Sequence, residues 1–264
     1  MNFQTLNYAV DEGVATITLQ RPDARNAVNS VMSRELPEMW RHFEQDDSAI
    51  VAIVTGSGEK AFCTGADLTD LPETEGEGRA GTLDSFRWTS LQNAVWKPVI
   101  CAVNGMTVGG GLHFVADSDI VIAADNATFF DTHVKVGLVA GLEPVSLARK
   151  MPMEAVLRMM LVGGNERMPA QRALELGMVG EVVPQAQLMT RARAVADRVK
   201  TNSPAAMAKT KRAIWQGADV GLGQALEQAW KLIMAQNEHP DIEEGSKAFL
   251  EQRLPNWKPY SENN

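Results

Sequence analysis

Two uninterrupted apolar, β-branched runs, residues 50–55 (IVAIVT) and 99–103 (VICAV), each stop at a glycine-containing turn: Gly56 after the first and Asn104-Gly105 after the second. A strand with no polar face has no side to offer water, so both runs are expected inside a sheet covered on both faces. The helical patterns between them then read as crossover connections between parallel strands. Residues 120–123 (IVIA) form a third run of the same kind. The expected fold class is α/β.

Other segments are placed around that core. Tyr8-Ala9-Val10, the turn Asp11-Glu12-Gly13 and the alternating stretch 14–19 predict a hairpin. Val28, Met32, Leu36, Met39, Trp40 and Phe43 follow helical spacing, with Pro37 expected to kink that helix. Residues 72–81 are polar and glycine-rich and read as a mobile surface loop. After Val182-Val183-Pro184 nearly everything reads as helix: Ser203-Pro204 is a good helix start, and 222–234 is a further amphipathic stretch. A boundary near residue 200 divides the chain into a core, 1–200, and a helical tail, 201–264. Trp215, Trp230 and Trp257 give that tail more apolar surface than it can bury alone.

Composition narrows the classes of function. At 264 residues and 45% hydrophobic the chain needs no staple to hold a core, and its net charge of −8 disfavours nucleic acid as main partner. The most apolar segment, 98–108, is too short to span a bilayer. Cys63 and Cys101 lie in apolar surroundings with no Cys/His ligand spacing, which suits a reducing cytoplasm and gives no metal site.

Chemistry is expected at two turns just beyond predicted strands: 62–68 (FCTGADL), and 104–113 (NGMTVGGGLH), which runs into a helix. Gly109–Gly111 serves either close helix packing or an anion site, because the first N–H groups of a helix have no partner within it. No Gly-Lys-Ser/Thr follows, so this is not a P-loop. Two such turns side by side would offer the two converging N–H donors that an enolate or tetrahedral oxyanion requires.

Residues 21–27 (RPDARNA), 61–68 (AFCTGADL), 102–105 (AVNG), Gly109–Gly111 and 170–183 recur in this order in the crotonase superfamily, the enoyl-CoA hydratase/isomerase family. The chain resembles that family from about Tyr8 to Trp257. The resemblance implies a spiral of ββα turns with a C-terminal helical trimerisation region, a homotrimer or a dimer of trimers. It implies an acyl-CoA thioester substrate, with coenzyme A as part of the substrate and no tightly bound cofactor. The thioester carbonyl would be held by the N–H groups of Ala66 and Gly110. CoA would lie along Ala24, Arg25 and Ala27, with Asp67 and Leu68 beside the pantetheine and Phe249 and Arg253 reaching the nucleotide.

One departure stands out. Hydratases of this family carry two glutamates at positions that read His113 and His133 here. Histidine is a competent base near neutral pH and usually needs an orienting carboxylate, for which Glu143 is the first candidate and Asp131 the second. His42 and His239 are expected to be ordinary structural residues. The leading expectation is an acyl-CoA enzyme that stabilises a thioester enolate, with histidines moving protons. Its rivals are a hydrolase of a β-dicarbonyl or CoA thioester using a His133–Glu143 dyad, and an acyl-CoA-binding subunit without activity.

Overall fold

The computed structural model describes residues 2–71 and 83–260; the loop expected at 72–81 lies outside the described residues. The elements in order are β1 (Leu6–Asp11), β2 (Val14–Leu19), α1 (Ser30–Gln45), β3 (Val51–Gly56), β4 (Ala61–Cys63), β5 (Val99–Val103), β6 (Met106–Val108), α2 (Leu112–Asp117), β7 (Ile120–Ala124) and β8 (Thr128–Phe130). There follow α3 (Leu142–Leu147), α4 (Met153–Val162), β9 (Met168–Pro169), α5 (Ala170–Glu175), β10 (Glu181–Val183), α6 (Leu188–Val199), α7 (Pro204–Gly217), α8 (Leu222–Asn237) and α9 (Asp241–Leu250).

The strands divide into two sheets, and the chain alternates between them. One sheet has the order β1-β2-β3-β5-β7-β10, the other β4-β6-β8-β9. After the β1–β2 hairpin, β2 pairs with β3, β3 with β5, β5 with β7 and β7 with β10, all parallel. Each of β3, β5 and β7 is followed by a short strand of the second sheet, where β4, β6 and β8 are likewise parallel neighbours. The result is a spiral of strand pairs.

The apolar runs that define the class behave as expected: every residue of β3 and β5 is buried. Alternate residues face opposite layers. Val51, Ile53, Ile100 and Ala102 pack on Leu188, Ala192 and Ala196 of α6. Ala52, Val54, Cys101 and Val103 belong to the larger core with Met32, Leu36, Met39, Trp40 and Phe43 of α1. The Asn29 side chain caps α1 by accepting from the Met32 N–H, and the helix continues through Pro37. Ser203 caps α7 in the same way, accepting from the Ala206 N–H, with Pro204 in the first turn.

The last three helices expose a run of large apolar side chains. α7 meets the rest of the chain through Ala205 and Ala208, which pack with Trp96 and Tyr260. α8 has no buried residue, and its Leu222, Leu226, Trp230 and Ile233 are exposed. Among the described residues no helix is long and apolar enough to cross a membrane. Phe43 is fully buried between α1 and the first sheet, so Phe43→Ala should cost about 3–5 kcal/mol of stability, read as a shift of the denaturant midpoint.

Candidate active site

The turns leaving β4 and β6 meet because those strands are parallel neighbours. Their contact is backbone on backbone. A Cβ on Gly65 would stand 2.9 Å from the Gly110 nitrogen, and one on Gly111 would stand 2.2 Å from the Cys63 carbonyl oxygen. Gly65 also has φ +81°, where a side chain is strained. The close-packing role of the triple glycine is therefore real, and it is what presses the two turns together.

Each turn presents an amide. Val28 donates its N–H to the Gly65 carbonyl and accepts the Asp67 N–H, both at 2.8 Å. In this isolated parallel bridge Ala66 is the residue opposite Val28, so its own N–H is directed to the other side. Gly110 lies in the opening helical turn, where N–H groups lack intrahelical partners. Trp88 closes the floor beneath it: a Cβ on Gly110 would meet the indole at 2.7 Å. That ring is fixed by its Nε1–H donating to Ser33 Oγ at 2.9 Å.

Both expected histidines are at this junction, with a different division of carboxylates from the one expected. Asp131, not Glu143, orients His133. Its Oδ1 accepts the His133 backbone N–H and its Oδ2 contacts Nδ1, each at 2.7 Å. The reason is local: two residues upstream, a buried aspartate can turn back on the following backbone and reach the ring with its second oxygen. A hydrogen on Nδ1 facing that carboxylate leaves Nε2 with its lone pair. The ring lies beside the glycine turn, since a Cβ on Gly109 would be 3.4 Å from His133 Cε1.

Glu143 stands in the first turn of α3 and pairs with His113 instead, with Oε1 3.3 Å from Nε2. The expected His133–Glu143 dyad is thus replaced by two pairs, Asp131–His133 and Glu143–His113. Glu143 still acts on His133 through its charge. The hydrogen bond to Asp131, with the charges of Glu143 and Asp131, raises the His133 pKa above its usual 6.5 against the opposing effect of burial.

The loops expected to carry the rest of a ligand also come together. The Arg21 guanidinium pairs with Asp67 at 2.9 Å, tying segment 21–27 to segment 65–68. Ala24 and Arg25 are at the surface of the first loop, Ala27 is buried, and Leu68 is exposed on the second. Asp67 is also engaged by Thr69, which with Arg21 holds its pKa low. Phe249 is 83% exposed at the end of α9, so it is not a core residue. Arg253 is held by Glu244 and Glu251, and among the described residues no hydrogen bond or ion pair joins it to segment 21–27.

Some groups are excluded and others were missed. Cys63, next to the first turn, is fully buried, and burial pushes its thiol up to about 12, so it is no nucleophile. His42 packs edge-on against Tyr8, and His239 Nδ1 accepts the Asp241 N–H at 3.2 Å, both structural roles. Among the described residues no group of three or more His, Cys, Asp or Glu could hold a metal ion. Trp88 and Asp117 line this region without having been picked from the sequence, where neither sits in a recognisable motif.

Two glycine turns pressed together at the ends of parallel strands, with a carboxylate-backed histidine beside them, define a superfamily-type site. Residues 9–260 match the enoyl-CoA hydratase/isomerase family. The chain is 42% identical to an enoyl-CoA hydratase/isomerase from Mycobacterium paratuberculosis of solved structure, with a TM-score of 0.90 over 98% of this chain and 100% of that one. It is 35% identical to the (E)-benzylidenesuccinyl-CoA hydratase of Thauera aromatica, covering 94% of this chain and 97% of that protein. It is 33% identical to the carnitinyl-CoA dehydratase of Proteus mirabilis, covering 97% and 98%. The chain belongs to the enoyl-CoA hydratase/isomerase family and is an enzyme of the crotonase superfamily.

The Asp131–His133 contact has a direct signature. In an NMR titration the His133 ring should show a midpoint above 6.5, and Asp131→Asn, which removes the facing anion, should move it down. An unchanged midpoint in the variant would contradict the pairing.

Proposed function

We propose that this enzyme adds water to, or removes it from, an α,β-unsaturated acyl-CoA thioester. Its carbonyl is held by the N–H groups of Ala66 and Gly110, and His133 moves the proton. The observation that carries this reading is the Asp131–His133 pair, whose Nε2 is left as a base beside the glycine turn. The relatives named above are hydratases or dehydratases of CoA thioesters, which supports the same reading.

In the hydration direction, Nε2 of His133 takes a proton from water as the oxygen bonds to the β-carbon. The double-bond electrons pass to the carbonyl oxygen, giving an enolate that two N–H donors stabilise more strongly than the ground-state thioester. Return of a proton to the α-carbon restores the carbonyl, and His113, backed by Glu143, is the second proton carrier. The histidines replace the two glutamates of the family's hydratases, and each has its own carboxylate to stabilise the imidazolium. CoA lies along Ala24, Arg25 and Ala27, with Asp67 and Leu68 beside the pantetheine. Asp67 contributes by fixing the two loops through Arg21. Phe249 and Arg253 are the tail residues assigned to the nucleotide.

A second reading, hydrolysis of a β-dicarbonyl or CoA thioester, draws on the same observation, because a histidine backed by a carboxylate also activates water for attack on a carbonyl. A copy of the chain is the proposed partner, as a homotrimer or dimer of trimers, with the exposed apolar face of α8 favouring burial between chains. Light scattering should then give three or six times the 28.8-kDa chain mass; a monomer would contradict it.

Crotonyl-CoA is the discriminating substrate. Loss of double-bond absorbance without release of thiol is expected, and His133→Ala should lower kcat/KM on the order of 10²–10⁴-fold. Because the neutral ring is the base, kcat/KM should rise with pH through a midpoint above 6.5. Hydration that survives His133→Ala would overturn the mechanism. Thiol release would favour hydrolysis, and tight CoA binding without turnover would favour a binding subunit.

A further inference from the structure

Gly110 is kept small chiefly by one side chain. Its backbone has no left-handed φ. The nearest backbone atom to a Cβ built there, Gly65 Cα, is 3.4 Å away, whereas Cζ3 of the Trp88 indole is at 2.7 Å. At Gly111 the obstacle is instead the Cys63 carbonyl. The turn thus rests on backbone at one glycine and on an aromatic ring at its neighbour.

That ring has little freedom to retreat. Trp88 is 2% exposed. Its Nε1–H donates to Ser33 Oγ at 2.9 Å, its backbone N–H donates to Gln92 Oε1 at 2.9 Å, and its carbonyl accepts the Trp40 Nε1–H at 2.7 Å. Phe86 and His113 stand against the indole, with ring centroids 5.8 and 6.1 Å away. The next residue, Thr89, donates to Asp117 Oδ2 at 2.7 Å, at the far end of α2. Segment 86–92 therefore grips α2 at both ends, and close-packed, anchored side chains of this kind transmit displacement instead of absorbing it.

We propose that Trp88 is a positioning residue, whose indole holds the Gly110 turn at the depth where the Gly110 N–H reaches the substrate's carbonyl oxygen. The inference rests on the thioester reading, in which that N–H polarises the carbonyl. A hydrogen bond weakens steeply as its angle and distance depart from the optimum, so a donor that sinks away from the oxygen loses much of its effect. Trp88 touches no substrate atom in this account and acts only through Gly110. Trp88→Phe keeps an aromatic ring but lacks the outer edge that bears Cζ3, so it withdraws the support. Ser33→Ala keeps the indole and removes the anchor of its Nε1–H.

The infrared carbonyl band of butyryl-CoA, labelled with carbon-13 at the thioester carbon and bound to the intact enzyme, reports that polarisation without requiring turnover. Binding to the unaltered enzyme should move the band to lower wavenumber than in free butyryl-CoA. Trp88→Phe should lose about half or more of that shift, while Kd by calorimetry rises no more than about tenfold, the worth of one weakened hydrogen bond. Gly110→Ala alone should also lose shift, and adding Trp88→Phe to it should restore part, because the methyl then takes the room the outer ring vacates. The inference is overturned, with the thioester reading left in place, by a full shift in Trp88→Phe or in Gly110→Ala, or by a Gly110→Ala loss that Trp88→Phe does not relieve. A lost shift accompanied by a far larger rise in Kd marks general loosening and overturns it as well. Should Trp88→Phe fail to fold, Ser33→Ala decides: a reduced shift supports the inference and an unchanged one overturns it. No binding, or no shift, with the unaltered enzyme overturns both.

Discussion

Backbone meets backbone at Gly65 and Gly110 with no room for a side chain between them, and the site depends on that contact. It requires β4 and β6 to be adjacent and parallel, and it requires glycine at 65, where φ is +81°. Gly111 adds a second point of closure against the Cys63 carbonyl. In the proposed function, the Ala66 and Gly110 amides beside this contact are the ones that face the ligand. The geometry that packs the helix is the same geometry that leaves its first amides open.

In the proposed mechanism, proton chemistry is set by how carboxylates are shared out around that contact. Asp131 uses one oxygen on the His133 backbone and the other on its ring, so a single buried anion fixes both the start of a turn and the ring's tautomer. Glu143 arrives from α3 and serves His113 while adding its field to His133. A histidine with its own anion can accept a proton without leaving an isolated charge in a half-buried site.

Much of this was legible in the sequence, for identifiable reasons. The wholly apolar runs of β3 and β5 admit few placements other than buried parallel strands, and the Ser203 cap follows from the local chemistry of one residue with its neighbours. The second sheet was not legible: β4, β6, β8 and β9 have two or three residues each, too few for a periodicity to register. The partner of His133 was misassigned because sequence spacing does not say which carboxylate turns back toward a ring. Glu143, ten residues on, is carried away by the turn into α3, whereas Asp131 stays in reach. Asp117 went unnoticed because its contact, accepting from Thr89 Oγ1 across 28 residues of sequence, is a property of packing alone.

The central claim is that the two amides hold a thioester carbonyl with His133 above the reacting carbons, and a crystal structure with a non-hydrolysable thioether or saturated acyl-CoA analogue tests it most directly. The account predicts the carbonyl oxygen, or its replacement, at about 2.7–3.1 Å from both the Ala66 and Gly110 nitrogens, with His133 Nε2 facing the α- and β-carbons. An acyl group bound elsewhere, or one whose carbonyl contacts neither amide, would contradict it.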